Sequence, residues 1–242
     1  MSGYIDLHSH WIPGIDDGAP DTAESLAMLK ALGDVGFAKV VATPHMRTGM
    51  FDNDRGDIER AFRRIEAEVS KRPGLPEVGL ASEHHLDDVV FEQLLKGQGL
   101  PYEPARSAAL IEFPTDHFPL RYRERMFELR VKRIRPVLAH PERYRPVWKD
   151  HELLEPLLDG GTLLLLDVCA LVGKYGSAPK NAALAMLEAG YYYAACSDAH
   201  RASDAREVAK AVKELYAVMG REEAEFLLIE GPRSILEGTV QD

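Results

Sequence analysis

Tyr4-Ile5-Asp6-Leu7-His8-Ser9-His10 is a short apolar run that ends in two imidazoles, and five later runs repeat the arrangement with other donors. His45 follows residues 39–43, and Glu83 follows Val78-Gly79-Leu80-Ala81. Glu112 follows Ala108-Ala109-Leu110-Ile111, His140 follows residues 134–138, and Asp198 and His200 follow residues 192–196. One such coincidence carries little weight. Repeated at the same end of successive strands, it predicts a metal-centred site, because chemistry in parallel α/β barrels collects on the loops at the carboxyl ends of the strands.

Between these runs the pattern turns helical. Asp21 or Thr22 reads as a helix N-cap, with Glu24 in the first turn, Leu26, Leu29 and Leu32 on one face, and Gly36 as the stop. Ile58, Phe62, Ile65 and Val69 mark a second helix over residues 57–69. Further helices are expected over residues 88–96, 120–132, 150–158, 181–189, 203–219 and 222–229. The strands are continuous apolar runs, as expected where both faces are covered. With no repeat, low-complexity segment or linker in view, residues 1–242 read as one domain. The fold predicted is α/β, a distorted barrel of seven strand–helix units, with a doubly wound open sheet as the competing architecture. The length suits a single barrel of roughly 250 residues.

The 29 cationic and 39 acidic side chains give a formal net charge of −10, which argues against nucleic acid or an anionic membrane as a partner. Three divalent ions would offset more than half of that charge and leave a locally positive site, so a phosphate could still be attracted. Cys169 and Cys196 end apolar runs and read as buried free thiols rather than a disulfide or a zinc-thiolate pair. The N-terminus shows no secretory pattern, and no window approaches the ~20 apolar residues of a membrane span. A soluble, cytoplasmic protein is expected, with no direct membrane insertion.

His8 and His10 point the same way from an extended segment. Asp16-Asp17-Gly18 reads as a turn that presents Asp17 as a donor and leaves Asp16 to the turn itself, or the two with their roles exchanged. Glu83 and Glu112 say more, since a carboxylate ending a buried strand is costly unless paired or bound to a cation. Nitrogen and oxygen donors without cysteine suit Mn, Fe or Zn in a reactive site. Nine donors (His8, His10, Asp17, His45, Glu83, Glu112, His140, Asp198 and His200) exceed what two ions need, and three ions with bridging carboxylates are the economical reading.

His8-Ser9-His10, Asp16-Asp17-Gly18, Thr43-Pro44-His45, Glu83, Ile111-Glu112-Phe113-Pro114, residues 140–144 and Ser197-Asp198-Ala199-His200 together resemble the motifs of the polymerase-and-histidinol-phosphatase superfamily. More narrowly, they are similar to the bacterial manganese-dependent protein tyrosine phosphatases of capsule and exopolysaccharide operons, the CpsB/YwqE type. The resemblance runs from residue 4 to about 235. It implies a barrel of seven units holding three ions, Mn²⁺ foremost, with Fe or Zn as alternatives. One ion would take His8, His10, Glu83 and Asp198, a second Glu83, Glu112 and His140, and a third Asp17, His45 and His200. Arg143 would hold the phosphate, assisted by Arg201 or Arg206. A phosphotyrosine protein, a bacterial tyrosine kinase, would be the substrate, attacked by metal-bound hydroxide.

Other residues invite weaker readings. His84 and His85 are adjacent on an extended segment, so at most one can face the site. His117 could line the cleft, His151 reads as surface, and residues 191–193 as strand packing. The loop Met46-Arg47-Thr48-Gly49-Met50-Phe51 looks mobile and is placed to contact substrate. Competing functions are a small-molecule phosphatase, for example of histidinol phosphate, an amidohydrolase, and a non-catalytic metal-binding scaffold.

Overall fold

A computed structural model describes residues 3–241. Nine parallel strands occupy seven positions around a ring. β1 (Tyr4–Asp6), β2 (Phe37–Ala42) and β4 (Glu77–Leu80) form one sheet in the order β1-β2-β4. β3 (His45–Met46), β5 (Glu83–His85), β6 (Ala108–Glu112), β7 (Arg135–Ala139), β8 (Leu163–Asp167) and β9 (Tyr192–Cys196) form the other, in sequence order. β3 continues the line of β2 and β5 that of β4 after two-residue interruptions. Pro44, which has no N–H to give a ladder, sits in the first interruption. The strand order never reverses, as it would in a doubly wound sheet. Among the described residues β9 and β1 share no ladder; one parallel bridge, Ser9 with Ala199, spans the gap just past their ends. The result is a distorted parallel α/β barrel, held least tightly at that seam.

Alternate strand residues serve two cores. Ala108, Leu110, Val137, Ala139, Leu163, Leu165, Ala194 and Cys196 pack together with Ile5, Leu7 and Val41 inside the ring, where Ile235 and Leu236 join them. Ala109, Ile111, Leu138, Leu164, Leu166 and Ala195 face outward onto the helices. Both faces are therefore buried, and that is why the strands read as runs rather than alternations. Truncating an interior leucine such as Leu110 would cost about 2–5 kcal/mol.

The helices are α1 (Thr22–Val35), α2 (Arg55–Val69), α3 (Asp88–Leu95), α4 (Tyr122–Val131), α5 (Glu155–Asp159), α6 (Ser177–Glu188), α7 (Ala205–Glu225) and α8 (Gly231–Glu237). Asp21 caps α1 by accepting from the Glu24 N–H, and Gly36 ends it. α2 starts earlier than its apolar stripe, because Asp54 and Asp57 form a capping box there. The helix expected over 150–158 is a 3₁₀ turn (His151–Leu154) followed by the short α5, with Pro156 in its first turn. At the C-terminal end, α7 bends at Gly220, whose φ of 77° breaks the helix, and a π-helical turn (Phe226–Glu230) leads into α8. The last helix went unpredicted because its seven residues carry little periodicity.

Candidate metal centre

Eight of the nine predicted donors stand at or near the carboxyl end of a strand position, and Asp17 lies in the loop between β1 and α1. His8 and His10 follow β1, His45 opens β3, Glu83 opens β5, and Glu112 ends β6. His140 follows β7, and Asp198 and His200 follow β9. His140 (φ 35°) and Asp198 (φ 44°) adopt left-handed backbone that side chains other than glycine take rarely, at a cost of about 1–3 kcal/mol each. Two strained turns on two of the donors mark a backbone shaped for the site.

The side chains converge on Glu83. Its Oε1 lies 3.3 Å from His8 Nε2 and 3.1 Å from His140 Nε2, and its Oε2 lies 2.9 Å from His45 Nδ1 and 3.6 Å from His10 Nε2. Asp198 Oδ1 is 3.1 Å from His8 Nε2, 3.5 Å from His10 Nε2 and 3.7 Å from His200 Nδ1. Asp17 Oδ1 is 3.5 Å from Nε2 of both His45 and His200. Two ligands about 2.1 Å from one ion stand about 3.0–3.4 Å apart, and these pairs, at 2.9–3.7 Å, are close enough to share a cation. Four sets have all donor atoms within 4.8 Å of one another: His10, Asp17, His45 and His200; His8, His10 and Asp198; His8, Glu83 and His140; and His45, Glu83 and Glu112. The sets cut across the partition implied by the resemblance: Glu112 groups with His45, and His140 with His8.

The site bears the marks of a group it would bind. His8 Nε2, His10 Nε2, His45 Nδ1 and Asp198 Oδ1 are buried without a hydrogen-bond partner. Buried polar atoms left unpaired are rare in folded proteins, and here they point at one another. Divalent cations fit this donor set. Burial disfavours charge at His8 and His45, but the carboxylates outweigh it. Glu83 and Asp198 hold His8 well above its ordinary value, and Glu83 with Asp17 pushes His45 to about 11. Asp198 and Asp17 likewise push His200 to about 9 against burial. Glu83 and Asp198 are buried too, yet the imidazoliums keep both carboxyls well below their usual range.

Neighbouring residues aim the donors. Asp16 Oδ2 is 2.8 Å from His10 Nδ1 while its Oδ1 accepts from the Gly18 N–H at 2.9 Å. Asp16 thus orients a candidate ligand, His10, and Asp17 lines the cavity. His8 Nδ1 is 2.6 Å from Thr43 Oγ1, and His85 Nδ1 is 3.0 Å from Glu112 Oε2. A ligating imidazole is ordinarily oriented through its other nitrogen in this way. His84 turns away: burial pushes it down to about 4, one nitrogen meets Leu110 O at 2.9 Å, and the other accepts from the Leu100 N–H. Gly18 is tightly confined: a Cβ there would stand 1.9 Å from the His10 carbonyl oxygen, so the turn would have to shift to admit one.

Two buried carboxylates escaped the sequence reading. Asp6, inside the first apolar run, accepts from the Ser197 N–H at 2.9 Å and the Ser197 hydroxyl at 2.5 Å, clasping the two ends of the ring; burial pushes it to about 6. Glu142 accepts from the Asp167 N–H at 3.0 Å and from Tyr192 Oη at 2.9 Å; burial and then Asp167 push it to about 8. A lone acid within a buried strand was the signal for Asp6.

A cavity of about 190 Å³ opens over the donors, lined also by Arg47, Met50, Phe51, Thr115 and Arg143. Arg143 Nη1 is 2.5 Å from Asp198 Oδ2, and its guanidinium lies 4.6 Å from the Tyr175 ring centre. Neither Arg201 nor Arg206 lines this cavity. The Arg201 guanidinium donates to the carbonyls of Asp17, Gly18 and His200, which braces the Asp17 turn, while Arg206 is exposed on the first turn of α7. The loop expected to be mobile is instead closed by hydrogen bonds. His117 is exposed beside Asp116, and Tyr192 is buried in the strand packing. Both cysteines are free and buried, and burial raises both thiols, which excludes a thiolate nucleophile.

Comparison with known proteins agrees with this geometry. Residues 4–237 match the family described as capsular polysaccharide synthesis, CpsB/CapC. The chain is 34% identical over 197 residues to the tyrosine-protein phosphatase YwqE of Bacillus subtilis, covering 81% of this chain and 77% of that one. It is 28% identical over 241 residues to the tyrosine-protein phosphatase CpsB of Streptococcus agalactiae, covering 96% and 98%. Among solved structures, one from work on YwqE of Bacillus subtilis and CpsB of Streptococcus pneumoniae, described as unique metal-dependent tyrosine phosphatases, superposes with a TM-score of 0.86 at 30% identity. That match covers 96% of this chain and 94% of the other. A lactonase from Listeria monocytogenes, with a TM-score of 0.58 and 10% identity, shares the fold alone. On the family match and these relatives, the chain belongs to the CpsB/CapC family of capsular polysaccharide synthesis.

Proposed function

We propose that this chain is a metal-dependent phosphatase that hydrolyses phosphotyrosine on proteins. The observation that carries the reading is the knot of buried, unpaired imidazole and carboxylate atoms around Glu83, with the Arg143 guanidinium at its edge. The nine donors would hold three divalent ions, Mn²⁺ first, with Glu83 shared between them. Bound divalent ions supply Lewis acidity, which lowers the pKa of water toward neutrality and offsets charge on phosphoryl oxygens.

The chain's own residues do the rest. Arg143 offers a forked set of donors that can span two phosphoryl oxygens, and Asp198 and Tyr175 hold that fork in place. Asp16, Thr43 and His85 fix donor orientations from behind. The phenolate of phosphotyrosine leaves with a pKa near 10, so a strong general acid is less necessary than for an alkoxide. Of the two later arginines, Arg201 acts on the Asp17 turn and Arg206 is exposed on α7 outside the cavity lining. Residues 1–242 would act as one cytoplasmic domain, and no helix among the described residues is long and apolar enough to cross a membrane. The phosphoprotein we infer is a tyrosine kinase of polysaccharide synthesis; the family description supports the link to polysaccharide synthesis.

The test is phosphate release from a phosphotyrosine peptide by Mn²⁺-loaded protein, beside phosphoserine peptide, histidinol phosphate and metal-stripped enzyme. Metal-dependent release from phosphotyrosine, abolished by His140→Ala, is the expected result. Preference for histidinol phosphate would move the protein to small-molecule chemistry, and no release with any metal would leave a binding scaffold.

A further inference from the structure

The loop after β3 is built to hold a shape. Arg47 and Phe51 exchange backbone hydrogen bonds of 3.0 and 2.9 Å, and the Gly49 N–H donates to Asp52 Oδ1 at 2.7 Å. The Thr48 N–H reaches Asp87 Oδ2 at 3.3 Å, and the Asn53 amide donates to the carbonyls of Ile15 and His45. So pinned, the loop leaves Met50 60% exposed at the cavity over the metal donors. A thioether in that position adds almost nothing to folding. Phe51 lies flat on His45, with ring centres 5.1 Å apart and planes 6° from parallel.

These two are the apolar side chains in the cavity lining; every other lining residue is charged or polar. The cavity, about 190 Å³, is smaller than the roughly 300–1,000 Å³ of sites that enclose a whole drug-sized ligand. It has room for the end of a substrate, while the remainder stays outside. An apolar, partly aromatic wall beside a floor of donors that would hold cations matches one kind of end: a phosphoryl group carried on a flat ring. Thioether and phenyl groups both favour contact with aromatic faces and edges.

We propose that Met50 and Phe51 form an aryl subsite, seating the ring of an aryl phosphomonoester whose phosphoryl group meets the donors and Arg143. The proposal rests on the phosphatase reading for the phosphoryl end and adds where the ring goes. An alkyl phosphate would leave the wall without a flat partner, so Met50 and Phe51 set the preference for phosphotyrosine over phosphoserine.

Calorimetry on the Mn²⁺-loaded protein separates the two ends of the ligand, with phenylphosphonate and methylphosphonate as non-hydrolysable probes. The wild-type protein is expected to bind phenylphosphonate about tenfold more tightly, the scale of one or two aromatic contacts. Met50→Ala and Phe51→Leu should each reduce that ratio by about threefold, while methylphosphonate affinity moves little. A ratio unchanged in both variants would overturn the proposal. So would equal losses for both probes, which would make Phe51 only a support for His45. Phosphotyrosine turnover by the wild type is scored separately. Its absence would refute the phosphatase reading, while the probe ratio would still decide the aryl wall.

Discussion

Loading the metal centre must expel protons, and the structure fixes about how many. In the metal-free protein His8, His45 and His200 all stand above neutrality, His45 near 11 and His200 near 9, because Glu83, Asp198 and Asp17 surround them. Those three carboxyls are held below their usual range and have no proton to give. A cation accepts only neutral imidazole, so saturating the site at pH 7 should release about three protons. For the set containing His45 and His200, two coupled protons make affinity rise about a hundredfold per pH unit between pH 6 and 8, or about 2.7 kcal/mol per unit. Calorimetric Mn²⁺ titrations in buffers of different ionisation enthalpy count the protons directly. His200→Ala should lower the count by about one. Release of one proton or fewer on saturation, or the same count in the variant, would refute the reasoning.

The same groups set the stability of the stripped protein. The raised imidazoles contribute fully below about pH 6.5 and lose their contribution as pH climbs through about 9 for His200 and 11 for His45. Glu83 and Asp198, depressed, contribute above about pH 4.5 and lose theirs as pH falls below it. Melting temperature in chelator should therefore peak between roughly pH 4.5 and 6.5; a monotonic rise to pH 9 would contradict this. Gly18→Ala should leave a folded barrel, destabilised by about 1–3 kcal/mol, that binds fewer ions, read by elemental analysis. Full metal content would show that the His10 turn can give way. Arg143→Lys should raise KM for phosphotyrosine peptide about ten- to a hundredfold, the scale of a charge-assisted hydrogen bond, with metal content unchanged.

Strand order, most helices and the gathering of the nine candidate donors were legible because every strand position except β8 leads to an imidazole or carboxylate among them. A buried run followed by an acid or imidazole leaves few interpretations. What the sequence hid was relational. The split of β2 from β3 depends on how Thr43 and Pro44 meet the neighbouring strand, and no local pattern encodes that. Asp6 was absorbed into an apolar run because its partner, Ser197, is at the far end of the chain. The arginines were ambiguous for a similar reason: Arg201 is spent on carbonyls of the Asp17 turn, a contact that spacing does not reveal. His84 and His85 were separable in principle by strand alternation, and the structure assigns His85 to Glu112.

The seam where Asp198 meets His8 also bears on the order of synthesis. These donors stand at opposite ends of the chain, so no ion set containing both exists until β9 has been made. At about 5–20 residues per second the ribosome needs roughly 10–40 s to travel from one to the other. The sets of His8, Glu83 and His140 and of His45, Glu83 and Glu112 have all their residues earlier. The set that joins His8 and His10 to Asp198 would be filled only in the finished polypeptide, when the last strand closes against the first.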